Sequence, residues 1–154
     1  EGGAHARDIL MSFTGSSGLK APHNSLHYSH GTRQMLFRMF GQHHRTYPRF
    51  LISENPPTDE EGIRSMALRS VFCFAPSGGG WGIRLYTAAR YGCIPVIVQD
   101  GVRQPFDTHL PYRKFAVVIE QYKMHALYDI LEDIEADKNK LHNMQRHLAC
   151  VKDY

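Results

Sequence analysis

Residues 71–98, VFCFAPSGGGWGIRLYTAARYGCIPVIV, limit the possible folds more than any other stretch. Val71-Phe72-Cys73-Phe74-Ala75 is a short apolar run, partly β-branched and aromatic, ended by Pro76. A run that is apolar at successive positions suits a strand covered on both faces, as in a parallel sheet. Ile94-Pro95-Val96-Ile97-Val98 repeats the pattern, with Pro95 tolerable only near the strand's start. Between them, residues 83–91 suit a helix, and Gly92 stands where a left-handed C-terminal cap is wanted. The stretch reads as a βαβ unit. Its first turn, Ser77-Gly78-Gly79-Gly80-Trp81-Gly82, is where such units commonly hold a ligand.

The rest of the chain extends the alternation. Residues 8–14 (DILMSFT) form a strand candidate that runs into a second small-residue loop, Gly15-Ser16-Ser17-Gly18. Residues 20–29 are polar and aperiodic and read as a long surface loop. Met35, Leu36, Met39 and Phe40 recur at helical spacing, which predicts an amphipathic helix over 32–43. Phe50-Leu51-Ile52 is a short strand candidate. After the break at Asn55-Pro56-Pro57, Thr58 and Glu61 form a capping-box pattern that starts a helix reaching about Arg69. Residues 99–111 carry Pro105 and Pro111 and read as loop with one helical turn at most. Residues 115–119 are rich in strand formers. Met124, Leu127, Tyr128, Leu131 and Ile134 mark one further helix, and Leu141, Met144, Leu148 and Val151 mark the last. Strands alternating with helices predict an α/β, Rossmann-like domain over 1–154, with a mostly parallel sheet flanked by helices.

Composition narrows the function classes. The 154 residues suffice for one domain with a real core, and the 42% apolar and 21% charged fractions are ordinary for a globular protein. A net charge of +3, scattered along the chain, gives no positive case for nucleic acid. No apolar run approaches the roughly 18 residues that a membrane span needs. The chain begins at Glu1 without a Met, a few residues before its first strand, as an excised or processed piece of a longer protein would. The lack of an anchor here therefore says little about a parent chain. Three cysteines, Cys73, Cys93 and Cys150, are an odd number, with two in or beside buried strands. That argues against a disulfide framework and for buried free thiols. His43-His44 and the His142, His147 and Cys150 group match no zinc spacing and read as solvated or packed side chains; no metal is expected.

The glycine loop carries the chemistry. A loop that opens a helix offers backbone N–H groups and the positive end of a dipole to an anion. Arg84 falls in the first helical turn, where a cation is unfavourable by a few tenths of a kcal/mol. A clefted diphosphate would offset that and accept a bidentate grip, whereas the ordinary alternative is a surface Arg paired to a carboxylate such as Asp100. Thr87 shares the helix face of Arg84 and could reach the same ligand, or bond to its own backbone. Trp81 could stack on a base or sugar, or lie in the core. The loop is not GxGxxG and no acid follows at the right distance, so a dinucleotide site is disfavoured.

SVFCFAPSGGGWGIRLYTAARYGCIPVIVQDGVRQPF resembles the exostosin-like family of glycosyltransferases, of the plant and algal type. The family pattern runs S-x-F-C-x-x-P-x-G, R-x-x-E/D-A, G-C-I/V-P-V-I, P-F. This chain supplies Ser70, Phe72, Cys73, Pro76 and Gly78, then Arg84 and Ala88, then residues 92–97, then Pro105-Phe106. The likeness extends more weakly to residues 8–15, to YSHGTRQ (28–34) and to 115–120. The resemblance implies the C-terminal, nucleotide-sugar-binding lobe of a two-lobed GT-B transferase, with the N-terminal lobe absent from this chain. It implies inverting transfer from a UDP-sugar to an oligo- or polysaccharide acceptor, by a single-pass type II Golgi membrane protein in polysaccharide biosynthesis or protein glycosylation. No permanently bound cofactor is implied.

On that resemblance Arg84 takes the diphosphate and Ser77, Gly78, Gly79, Gly80, Trp81 and Thr87 complete the donor site. Where the family has an acidic residue three positions after the Arg, this chain has Thr87, so the alternative is a non-catalytic nucleotide- or glycan-binding module, a degenerate transferase. An inverting transferase needs a general base. None is evident, and it would come from the other lobe, leaving the isolated fragment inactive. Gly15, Arg33, Asp100 and Glu120 are secondary candidates for donor or acceptor contacts. His23, His27 and His30, near the YSHGTR stretch, are weaker ones.

Overall fold

The apolar runs become strands in the computed structural model, which describes residues 6–20, 25, 27–79 and 82–152. These are β1 (Ile9–Thr14), β2 (Phe50–Ser53), β3 (Ser70–Phe74), β4 (Ile94–Ile97) and β5 (Val117–Val118). All pair in parallel, in the order β2-β1-β3-β4-β5. β1 is wholly buried between two neighbours, which is why its sequence is apolar at both parities except for Ser12 and Thr14. The chain leaves β1 for one edge and β3 for the other, so the switch point of this doubly wound sheet lies between their C-terminal ends.

Among the described residues six α-helices cover the sheet: α1 (Thr32–Leu36), α2 (Glu60–Arg69), α3 (Arg84–Arg90), α4 (Tyr112–Phe115), α5 (Leu127–Ala136) and α6 (Lys138–Val151). The periodicity that predicts one helix over 32–43 is divided in two: α1 ends at Leu36 and passes into a π-helical turn at Phe37–Gly41. That turn brings Phe40 against Tyr47 and Phe50 at centroid distances of 4.8 and 5.2 Å, and α5 adds Tyr128 at 4.7 Å from Phe50. Offset and edge-on aromatic pairs of this kind add to the area they bury.

Three further expectations are corrected. The predicted 58/61 capping box is displaced: Asp59 is the N-cap of α2 and accepts from the Gly62 N–H at 2.8 Å, while Glu61 pairs with Arg64. Phe115 belongs to α4, and β5 is only two residues long. Cys73 and Cys93 are not free thiols but a disulfide across 20 residues, tying β3 to the residue before β4. The parallel register explains the encounter, since Cys73 pairs with Pro95 and so lies beside the approach to β4. Cys150, on α6, is free and exposed. Gly92 does end α3 in the left-handed region, at φ 66°. Arg7 fastens the sheet's opposite end by donating to the carbonyls of Ala67, Ser70 and Tyr91.

Candidate nucleotide-sugar site

Phe13 is the floor of the switch-point crevice. It lies one residue before the end of β1, 1% exposed, with Phe37 and Phe74 edge-on to it. Two guanidiniums rest on its ring: the Arg33 Cζ at 5.4 Å from the centroid and the Arg84 Cζ at 4.8 Å. Arg33 also lies 5.0 Å from the Tyr28 ring. Sequence separation hides this meeting, because α1 delivers Arg33 from one side of the sheet and α3 delivers Arg84 from the other.

Among the described residues the pair has no counter-charge, and neither arginine forms an ion pair. Asp100, the suggested partner of Arg84, instead accepts from the Gln121 N–H at 3.0 Å and caps the 3-10 helix Gln121–Ala126. Glu120 pairs with Lys123 at 3.4 Å. Glu54, just past the end of β2, is held by Lys20 and by the Ser17 N–H and hydroxyl. Arg33, 7% exposed, donates to the Ser77 carbonyl at 3.1 Å and the Ser16 carbonyl at 3.4 Å. The Arg84 guanidinium has no hydrogen-bond partner among the described residues, although it carries five N–H donors. Burial, and after it the charge of Arg33, push the Arg84 pKa down to about 10, which still leaves a full cation at neutral pH. Burial lowers that of Arg33 as well. Two like charges, partly desolvated and without a carboxylate partner among the described residues, make a local field that favours an anion.

Three loops frame the pair. Gly15, with φ 150°, passes so close to Arg84 that a Cβ there would overlap its Nη2. Gly78 lies against Arg33, where a Cβ would meet Nη2 at 3.4 Å, and Gly79 faces open space. Ser77 is buried, and its carbonyl is the one that Arg33 grips. Gly80 and Trp81 lie outside the described residues. The third loop is the 3-10 turn Tyr28–Gly31, in which Ser29, His30 and Gly31 are consecutively left-handed at φ 57°, 51° and 78°. For non-glycine residues this costs roughly 1–2 kcal/mol each.

Thr87 occupies the predicted face of α3, but its hydroxyl donates to the Ile83 carbonyl at 3.3 Å. Below it a cavity of about 240 Å³ opens between α2 and α3, lined by Thr14, Pro56, Ile83, Arg84 and Thr87, with Cys73 at its base. The helix α3 is only seven residues long, so its dipole adds little and the guanidiniums dominate the field. The structure therefore assembles Gly15, Arg33, Ser77, Gly78 and Arg84 into one crevice, with Thr87 at its edge. It places Asp100 and Glu120 beyond the C-terminal ends of β4 and β5, each occupied by a local contact. The sequence reading missed Phe13, whose aromatic ring in a strand looks like any core residue, and the turn at 28–31, where Gly31 is the single local signal. His43, His44, His142 and Cys150 are exposed, and no group of three metal-ligating side chains occurs among the described residues.

The exostosin GT47 domain model matches residues 2–134, which include all three loops and both arginines. Among curated proteins, the chain is 31% identical over 147 residues to a probable glucuronoxylan glucuronosyltransferase of Arabidopsis thaliana, covering 92% of this chain and 29% of that protein. It is 33% identical over 147 residues to a second probable glucuronoxylan glucuronosyltransferase of the same plant, covering 92% and 30%. A probable glucuronosyltransferase of Physcomitrium patens is 34% identical over 107 residues, covering 68% and 22%. The chain thus spans less than a third of the length of these relatives. With the family match running through the βαβ unit and the crevice around Phe13, Arg33 and Arg84, the chain belongs to the exostosin-like family of glycosyltransferases.

Proposed function

We propose that the crevice binds the diphosphate of a UDP-sugar, and that the chain is the donor-binding, C-terminal lobe of a GT-B transferase. The observation that carries this reading is the Arg84 guanidinium, partly buried beside Arg33 and without a hydrogen-bond or ion-pair partner among the described residues. A nucleoside diphosphate supplies two negative charges to two cations and enough oxygens for both forks. In an inverting displacement the acceptor hydroxyl attacks the anomeric carbon and the bond to phosphate breaks, the bonding pair leaving with UDP. Charge grows on the diphosphate in that step, and fixed guanidiniums stabilise it as it forms. Two arginines can do this without a divalent cation, so transfer by the full-length protein is expected to survive EDTA. A strict requirement for added metal would contradict this.

The relatives' names favour a glucuronic acid donor and a xylan-type acceptor for the whole protein. The family resemblance favours the Golgi as its compartment. The base that accepts the hydroxyl proton is assigned to the other lobe. Calorimetric titration of UDP into the full-length protein tests the site: Arg84→Ala should weaken binding at least tenfold, and unchanged affinity removes Arg84 from it.

A second reading has one observation in its favour. Thr87 stands where the family pattern has an acid, and its hydroxyl is committed to the helix backbone. If the chain is a binding module that has lost turnover, sugar transfer appears in Thr87→Glu and is absent from the wild type.

A further inference from the structure

Left-handed backbone is avoided by L-residues because Cβ crowds the following carbonyl, and glycine alone enters it freely. A serine and a histidine held there in succession mark a segment whose shape its neighbours impose. In the turn Tyr28–Gly31 those neighbours belong to the glycine loop. The Ser29 N–H donates to the Gly78 carbonyl at 3.3 Å, and the His30 Nδ1 meets the Ser77 hydroxyl at 3.4 Å. One turn further on, Arg33 Nε donates to the carbonyl of the same Ser77 at 3.1 Å. Ser77 therefore links the imidazole to one of the two site cations.

Among the described residues the ring is held by one nitrogen, Nδ1. With Nδ1 engaged, Nε2 remains on a side chain that is otherwise exposed, at the lip of a crevice holding two unneutralised guanidiniums. The buried Ser29 hydroxyl in the same turn has no hydrogen-bond partner among the described residues. Bracing the loop through Ser77 uses Nδ1 alone and leaves Nε2 for another partner. Glycine would hold the same backbone with less strain.

We propose that His30 is a ligand-contacting residue of the donor site, its Nε2 hydrogen-bonded to an oxygen of the nucleotide diphosphate that Arg33 and Arg84 hold. This rests on the nucleotide-sugar reading of the crevice and adds to it the residue that closes the site from the side of α1. The contact forms on binding and needs no rearrangement of the sheet.

The test separates strain from contact by making them move in opposite directions. His30→Gly removes the imidazole and relieves the left-handed backbone, so the thermal midpoint of the full-length protein should hold or rise. UDP affinity should fall about tenfold, the loss typical of a hydrogen bond to a charged group. His30→Asn, a residue that tolerates this backbone, should show the same fall without unfolding. If Arg84→Ala loses UDP while both His30 variants bind it within about twofold of the wild type, His30 makes no contact with the ligand and the proposal is overturned. If UDP binds the wild type with no dependence on Arg84, the two-arginine reading fails and this contact fails with it.

Discussion

Arg84 carries a charge where folding alone would do better without one. Its guanidinium is partly desolvated, faces Arg33, and meets no carboxylate among the described residues. Because its folded pKa is lowered to about 10, the charged form is less favourable in the folded chain than in the unfolded one. That cost is constant across physiological pH and would be relieved only above about pH 10. Replacing an uncompensated charge by an apolar chain of similar length should help the fold. Arg84→Met is therefore expected to raise the stability of the ligand-free protein, by about 1 kcal/mol, while abolishing the rise in Tm that UDP gives the wild type. Thermal melts with and without UDP check both halves. Gly15→Ala makes the complementary case. The new methyl displaces the far end of Arg84 and adds strain at φ 150°, so UDP affinity should suffer more than stability does.

At the level of the elements, the disulfide is the strongest local constraint. It closes a 20-residue span containing the glycine loop and α3. A loop of that length is worth about 3 kcal/mol on chain-entropy grounds. Denaturant titration of the Cys73→Ala/Cys93→Ala variant should show a loss of that order, with the glycine loop the first region to lose protection from hydrogen exchange. The cap of α2 provides a finer measure: Asp59→Ala should cost about 1 kcal/mol and Thr58→Ala almost nothing. These two cases also mark where sequence reading ends. β1, β3 and β4 are legible because a strand covered on both faces is apolar at most positions of either parity, and Gly92 because one residue type dominates left-handed caps. The cap of α2 was misread because Thr58 and Asp59 are adjacent and both fit. The disulfide was invisible because it depends on the register of β3 against β4. Arg33 was legible only as a secondary contact, since its equality with Arg84 arises from two distant elements meeting over Phe13.

Across the whole molecule, surface charge sets the response to acid. Asp8 is held below the usual carboxylate range by Arg69, Glu54 by Lys20 and then Ser17, and Asp107 by Arg103. A depressed folded pKa gives stability that is present above the unfolded value and lost as pH falls through the folded one. Tm should therefore hold near neutrality and fall once pH drops below about 4, with a smaller fall in high salt because these pairs lie at the surface. Asp8→Asn should shallow the decline.

The interior position of β1 in the sheet has a kinetic consequence. It is the first of the described strands, yet it pairs with two that come much later in sequence, Met11 with Phe50 and Ile9 with Ser70. Phe13, Arg33 and Arg84 have no local precursor and meet only when both pairings are complete. Contacts absent from the folding transition state change the unfolding rate and leave the folding rate alone. In stopped-flow jumps, UDP should slow the unfolding limb while refolding proceeds at its unliganded speed. Bound nucleotide would then act as a latch, fastening a door that the chain has to shut unaided.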